Sequence, residues 1–357
     1  MSLKTSTLPN YTSRKLVDRL MRGCVFIATG LAIVPLLLII GYVVIIGGGA
    51  LNWQFFTDVY QPPMTAETMD SMFGAPGAEP GAIDPNDPFA NLDLGALTGG
   101  TADAGATPVP GQEGAPTAEE KGADILEAEA RGGVLHAIVG TLLVTSLAVL
   151  IAMPIGILAG VFLSEYPANP VATTVRFACD VLSGAPSIIV GVTAYILIVN
   201  AQGADGRPLG FSGIAGAIAL TFLMVPTITR TTEEVLKLVP EATREAALAM
   251  GATTWYSTFT AVVPAALSGI VTGVMLAFAR GAGETAPLIM TVLGSNVLVT
   301  SLFQPISALP LITYRYTESP FPSENTLAWG SAFVLMMLVL FVNIAVRIAT
   351  RNRLKGR

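Results

Sequence analysis

Residues 245–264, EAALAMGATTWYSTFTAVVP, read as a short helix, a glycine turn and a second short helix lodged between two long apolar runs. Pro240, just upstream, suits the first turn of a helix, where its missing N–H costs nothing. Glu241 and Glu245 then lie near the positive end of that helix. Ala242, Ala246 and Ala249 recur at helical spacing and give it one small, smooth face. Gly251 ends the helix as a residue able to turn with positive φ. Thr253 or Thr254 caps a second helix expected over Trp255 to Val262, and Pro264 is expected to close the unit. A polar helix–turn–helix between apolar runs belongs in a loop at the face of a membrane.

Composition agrees. Of 357 residues, 52% are hydrophobic and only 12% charged, and the mean hydropathy is +0.64. That is too apolar for a soluble chain of this size. A helix needs roughly 20 apolar residues to cross a bilayer. Six stretches qualify: Cys24–Ile46, Val134–Leu163, Val181–Asn200, Phe211–Ile228, Pro264–Val292 and Leu327–Val346. All are expected as helices, because backbone facing lipid must satisfy its own hydrogen bonds. The fold class is therefore all-α, a polytopic membrane protein with six transmembrane helices. Cys24 and Cys179 form no metal or redox spacing and read as packing residues. His136 is the single histidine and reads as a satisfied residue at a helix start.

Charge sets the orientation. Lys4, Arg14, Lys15, Arg19 and Arg22 precede the first span against one acid, Asp18. Arg347, Arg351, Arg353, Lys355 and Arg357 follow the last. Residues 48–133 hold fourteen acidic and two basic residues. Positive residues stay inside, so both termini are expected in the cytoplasm and the first loop outside. Six spans then put the 245–264 unit on the cytoplasmic side. The first apolar run exceeds a signal-peptide core of about 7–15 residues and reads as a retained anchor.

Glu245, Ala246, Ala247, Gly251 and Pro264 match, in order and spacing, the cytoplasmic loop of bacterial ABC importer permeases: Glu-Ala-Ala, three residues, Gly, nine residues, Ile, one residue, Leu-Pro. Ala261 and Val263 stand where Ile and Leu are usual. The resemblance implies the type I importer permease fold and a loop that docks on an ATP-hydrolysing subunit.

The remaining organisation follows the chain. Residues 1–23 form a basic lead, with an amphipathic helix possible from Ser13 to Arg22, and 24–46 the first span with a kink expected at Pro35. Asn52 to Tyr60 is aromatic and polar, suited to the outer interface. Residues 47–130 form the outer loop. Within it, 62–121 are rich in Pro, Gly, Ala and Asp and too poor in large apolar residues to offset their ordering entropy. Ala123 to Ala130 are expected to recover a helical turn. Residues 131–350 are the core of five spans, with the loop at 240–264, and 351–357 a basic tail. In the second span Thr141, Thr145, Gly156 and Gly160 allow close helix approach. In the third, Ser183, Gly184, Pro186 and Ser187 are expected to break the helix and expose backbone, which is tolerated beside protein or a water-filled path. Asp180, near the cytoplasmic end of that span, is given no transport role.

The fifth span carries the chemistry. Arg280 and Glu284 are four residues apart in an otherwise apolar run and can share a helix face. Intramembrane charge is costly and usually faces a partner or a cavity. The pair is either a tie between helices or an anion path, in which the planar guanidinium of Arg280 meets the oxyanion and Glu284 holds it. RGAGETAPL at 280–288 and LSGAPSI at 182–188 resemble phosphate importer permeases of the PstA type. The resemblance spans about residues 130–350. It implies inorganic phosphate as substrate, a second homologous permease, an ATPase subunit pair and an extracytoplasmic phosphate-binding protein as partners, within the lipid of a bacterial inner membrane. No cofactor, metal or nucleic acid is expected. No G-x-x-x-x-G-K-[ST] loop occurs, so ATP hydrolysis would lie in another chain. Sulfate or molybdate import, an intramembrane enzyme and a passive anion channel are the alternatives. The enzyme is poorly supplied with catalytic groups, and the channel has no need of the 245–264 loop.

Overall fold

The computed structural model describes residues 11–60, 132–203 and 208–354. The expected insertion at 62–121 and the turn at Ala123–Ala130 lie outside them, as do residues 1–10 and 355–357. The described residues form helices joined by short connections, with no strand among them. Helix α1 spans Tyr11–Gly49, so from Tyr11 on the lead and the first span are one continuous helix through Pro35. A short α2, Trp53–Thr57, follows, capped by the Asn52 side chain on the Phe55 N–H. Then come α3 (Leu135–Glu165), α4 (Pro170–Gly184) and α5 (Ser187–Ala194), the last prolonged by a π turn at Tyr195–Val199. Helix α6 is Gly213–Lys237 and α7 is Glu241–Ala249. Helix α8 (Thr254–Ser257) passes through a π turn, Thr258–Val262, into α9 (Val263–Ala282). Helices α10 (Ala286–Thr291), α11 (Leu309–Thr317) and α12 (Pro322–Leu354) complete the chain.

Helices α3 and α6 are the axis of the bundle. Thr221 Oγ1 donates to the Ala148 carbonyl, Gly156 lies on Ile228, and Gly160 lies on Thr232. The paired numbers rise together, so the two helices are parallel. A Cβ on Gly160 would stand 2.6 Å from Thr232 Cβ and 2.8 Å from the Thr229 carbonyl oxygen. Small residues at these positions are what let two backbones approach so closely. Helix α9 runs the other way along α6: Gly269 meets Val235, Gly273 meets Thr231 and Gly281 meets Met224. Val144, Ala148, Leu220, Met224, Ile228 and Ala277 fill the core between these three helices.

Parallel α3 and α6 settle the third span. The span expected over Val181–Asn200 does break where Ser183–Ser187 suggest, and it is longer than expected: two helices, α4 and α5, begin at Pro170 and are bent by 102°. Ala185 and Pro186 are extended, because the residue before a proline avoids the helical region and Pro186 itself cannot continue the ladder. Since α3 and α6 point the same way, the chain between them must return across the same thickness. The bent pair is therefore a crossing, and with it the described residues hold six.

A second core closes the other end, where α2 and the starts of α3 and α12 meet α11. Phe55, Tyr60, Val134, Leu309, Ile312, Tyr316 and Leu327 are buried together. The Tyr60 hydroxyl donates to Glu324, and the Tyr60 and Tyr316 rings lie 4.9 Å apart. Burial, and after it the bond to Glu324, raises the Tyr60 phenol above its usual pKa. Here the chain entering and leaving 61–131 is pinned: the Val134 N–H donates to the Phe55 carbonyl at 3.0 Å. A Cβ on Gly132, φ +94°, would fall 3.3 Å from Tyr60 Cα. Helix α1 meets the rest chiefly along α12, with Tyr42 edge-on to Trp329 at 4.9 Å and Gly47 against the Trp329 carbonyl.

Two single-residue expectations need correcting. Cys24 is exposed on α1 rather than packed, while Cys179 is buried. His136 is buried, but neither ring nitrogen has a hydrogen-bond partner among the described residues.

Candidate functional site

Helix α9 does not run on to Val292 as expected. It stops at Ala282, and α10 starts afresh at Ala286. Gly281 and Gly283 lower helix propensity, and Pro287 can give no N–H to the carbonyl four residues back. Arg280 thus lies in the last turn of α9, where a cation suits the negative helix end. Glu284 lies in the break, its N–H bonded to the Gly281 carbonyl at 3.2 Å. The side chains meet across the helix end, Arg280 Nε to Glu284 Oε1 at 3.5 Å, an ion pair longer than a good hydrogen bond. The expected shared face of one helix is replaced by this contact around its terminus.

Depth matters more than the pair's length. Gly281 packs on Met224, near the middle of α6. Arg280 is therefore near mid-depth of the bundle, yet its side chain is 45% exposed, against 18% for Glu284. A guanidinium at that depth does not face hydrocarbon without a polar partner.

The helix that follows the first break packs on the second. Gly191, one turn into α5, touches the start of α10: a Cβ there would be 2.7 Å from Pro287 Cα and 3.3 Å from the Ala286 carbonyl oxygen. So the bend containing Ser183, Gly184, Pro186 and Ser187 leads into the helix that packs on the Arg280–Glu284 break. Gly184 has open space around it. On another side of the same break, Gly283 and Thr285 line a cleft of about 550 Å³ with Pro310, Thr313, Tyr314 and Met336. Arg280 and Glu284 are not among its lining residues.

At the other end of α6 stands the loop unit. Helix α7 has no buried residue. Glu245 and Ala246 are exposed, Ala247 half-buried, and Met250, Trp255 and Tyr256 exposed beyond them. Gly251 takes φ +83° with nothing within 4 Å of a would-be Cβ, so backbone conformation alone calls for glycine there. Pro240 sits one residue before the helix rather than inside its first turn. Thr253 is the cap, accepting from the Tyr256 N–H at 3.4 Å. Pro264 does not close the unit. It enters the first turn of α9, and the preceding π turn gives its ring room that a tight α-turn would deny.

Sequence reasoning missed an ion cluster beside this loop. Glu233, 2% exposed, accepts from Arg176 Nε at 2.8 Å and Lys237 Nζ at 2.6 Å, with Arg230 Nη1 at 3.5 Å. Arg230 also binds Asp180. Arg176 reaches the Leu163 and Pro167 carbonyls at 2.8 and 3.2 Å. Arg244 of α7 binds Glu165, the last residue of α3, and donates to the Leu236 carbonyl at 3.1 Å. The only advance signal was charge at span ends, which reads as ordinary flanking polarity.

Comparison with known proteins completes the description. The family model described as "Binding-protein-dependent transport system inner membrane component" matches residues 152–354. A relative from Xylella fastidiosa called "Phosphate transport system permease protein PstA" is 41% identical over 226 residues, 63% of this chain and 77% of the relative. One of the same name from Haemophilus influenzae is 43% identical over 224 residues, 62% and 77% of the two chains. Among solved structures, an inward-facing MetNI methionine ABC transporter gives a TM-score of 0.48 at 22% identity, over 61% of this chain and 95% of that one.

Proposed function

The chain belongs to the binding-protein-dependent transport system inner membrane components, and from that premise we propose that it is a permease subunit of an ATP-driven importer of inorganic phosphate. The relatives named for phosphate transport support the substrate. The observation that carries the mechanism is a half-exposed Arg280 near mid-depth, at a helix break against which α5, the helix that follows the Ala185–Pro186 bend, is packed. In this reading a second, homologous permease covers the exposed guanidinium, and the anion passes between the two subunits. The planar fork of Arg280 meets phosphate oxygens. Glu284, at 3.5 Å, lowers the local positive field so that the anion is passed on rather than held.

The exposed unit of α7 and α8, with Glu245, Ala246, Ala247 and Gly251, takes the ATPase pair, and Pro264 continues the unit into α9. Both chain ends and α7 then lie in the cytoplasm. Helices α2 and α11 and residues 61–131 lie outside, where an extracytoplasmic phosphate-binding protein delivers the anion. This orientation is supported by the basic ends of the chain and the acidic stretch between the first two spans. The chain itself carries no catalytic role, and ATP is hydrolysed in the partner.

The test is reconstitution in proteoliposomes with a second permease, the ATPase pair and a phosphate-binding protein. Uptake of labelled phosphate, dependent on ATP and binding protein and exceeding that of sulfate and molybdate, is the expected result. ATP-independent leakage would point to a channel, and preferred uptake of another oxyanion would replace the substrate.

A further inference from the structure

We propose that Arg244 is the positioning residue through which displacement of α7 reaches the membrane bundle, acting on Glu165 of α3 and the Leu236 carbonyl of α6. The inference rests on the transport reading above and adds a component to it. Helix α7 buries none of its own residues, so apolar packing does not fix it to the bundle. At one end it hangs from the short link after Lys237, and at the other it leaves through the open turn at Gly251. Arg244 is the side chain that reaches back across this gap. It is 22% exposed, it binds Glu165, and it donates to Leu236 at 3.1 Å. Two bonds from one rigid fork fix direction as well as distance.

Glu165 needs this cation. It is the last residue of α3, at the negative end of a long helix, and is 11% exposed. Without Arg244 the carboxylate is left nearly buried and unpaired, so either the last turn of α3 or the whole of α7 must move.

What lies beyond Glu165 gives the contact its reach. Helices α3 and α6 interlock at Gly156 and Gly160, which leaves little room for them to slide past each other. Helix α6 carries Arg230 and Glu233, which hold Asp180 and Arg176 on α4. Helix α4 ends at the extended Ala185–Pro186 bend, after which α5 packs on the Arg280–Glu284 break. A push on α7 is thus carried by ion pairs and close helix contacts to the bend beside the proposed path. An anchor that only holds the fold together would alter assembly and leave the stoichiometry of transport unchanged.

The experiment measures phosphate uptake and ATP hydrolysis in the same proteoliposomes holding the whole importer. For Arg244→Gln and for Glu165→Gln, phosphate moved per ATP should fall by at least about fivefold, the lower range of such couplings, while the complex assembles and hydrolyses ATP. Arg244→Lys keeps the charge but not the double bond and should fall between. The exchange Arg244→Glu with Glu165→Arg should bring the ratio back toward wild type. An unchanged ratio in both single variants, or an exchange no better than the singles, overturns the proposal. If the singles do not assemble, the exchanged pair decides by the same ratio. Failure of every variant to assemble also overturns the proposal, because the pair is then a folding contact. Should the wild type import a different oxyanion, only the substrate reading fails, and the ratio is read with that anion.

Discussion

Arg280 lies level with Met224, in the middle of α6, and almost half of its side chain is uncovered. If it meets the anion, Arg280→Gln should reduce phosphate uptake by more than about tenfold with assembly intact, the loss of one charge-assisted contact. Arg280→Lys should also be poor, since an ammonium cannot reproduce the fork. The double variant Arg280→Gln/Glu284→Gln separates path from tie. A mere tie would be relieved when both charges go, and uptake would recover, whereas a path residue leaves the double variant inactive in an intact complex. Gly251 offers a second test. At φ +83° with open space around it, the position excludes a β-branched residue for conformational reasons only. Gly251→Val should therefore uncouple ATP hydrolysis from uptake, while Gly251→Asn, which tolerates the left-handed region, should keep them coupled. The turn at Gly251 was legible because its cause is local. The four-residue spacing of Arg280 and Glu284 was legible too, and Gly281, Gly283 and Pro287 marked a loosened backbone, but not that α9 ends there with Gly191 packing on the break from another span.

Among elements, α3 and α6 approach closely along their length, and the contact is sensitive to one methyl group. In Gly160→Ala the new Cβ would stand 2.6 Å from Thr232 Cβ and 2.8 Å from backbone oxygen, neither of which can yield without the helices parting. Overpacking of this kind costs about 1–3 kcal/mol. A lower thermal midpoint of the purified complex in detergent is expected, and an unchanged one would mean that the two helices adjust freely. Apolar runs marked the six crossings, yet they did not mark where two of those crossings break. Hydropathy records how long a segment stays out of water, not whether its backbone is continuous. The proline and glycine signals at 183–187 did mark the first break, but not the 102° turn it makes. The ion cluster was invisible for a different reason. Arg176 and Glu233 are 57 residues apart, and Arg244 and Glu165 79, so no local pattern links them.

At the scale of the whole molecule, residues 61–131 begin and end at one place. Tyr60 and Gly132 are neighbours, and Val134 is bonded back to Phe55. Removing about residues 65–120 therefore asks nothing of the helices on either side, and phosphate uptake per assembled complex should stay within about twofold of wild type. Loss of uptake by a variant that still reaches the membrane would give that segment a role in delivery of the anion. The family match begins at residue 152, beyond this segment. Helix α1, before it, meets the bundle mainly along α12, and the α2 segment after it joins through the cluster around Phe55 and Tyr60. Such a junction works as a noncovalent interface that happens to be bridged by chain. Two separate genes, one encoding residues 1–96 and the other 97–357, should then yield a single working subunit. Each half would co-purify with the other, and labelled phosphate would enter only when both are expressed.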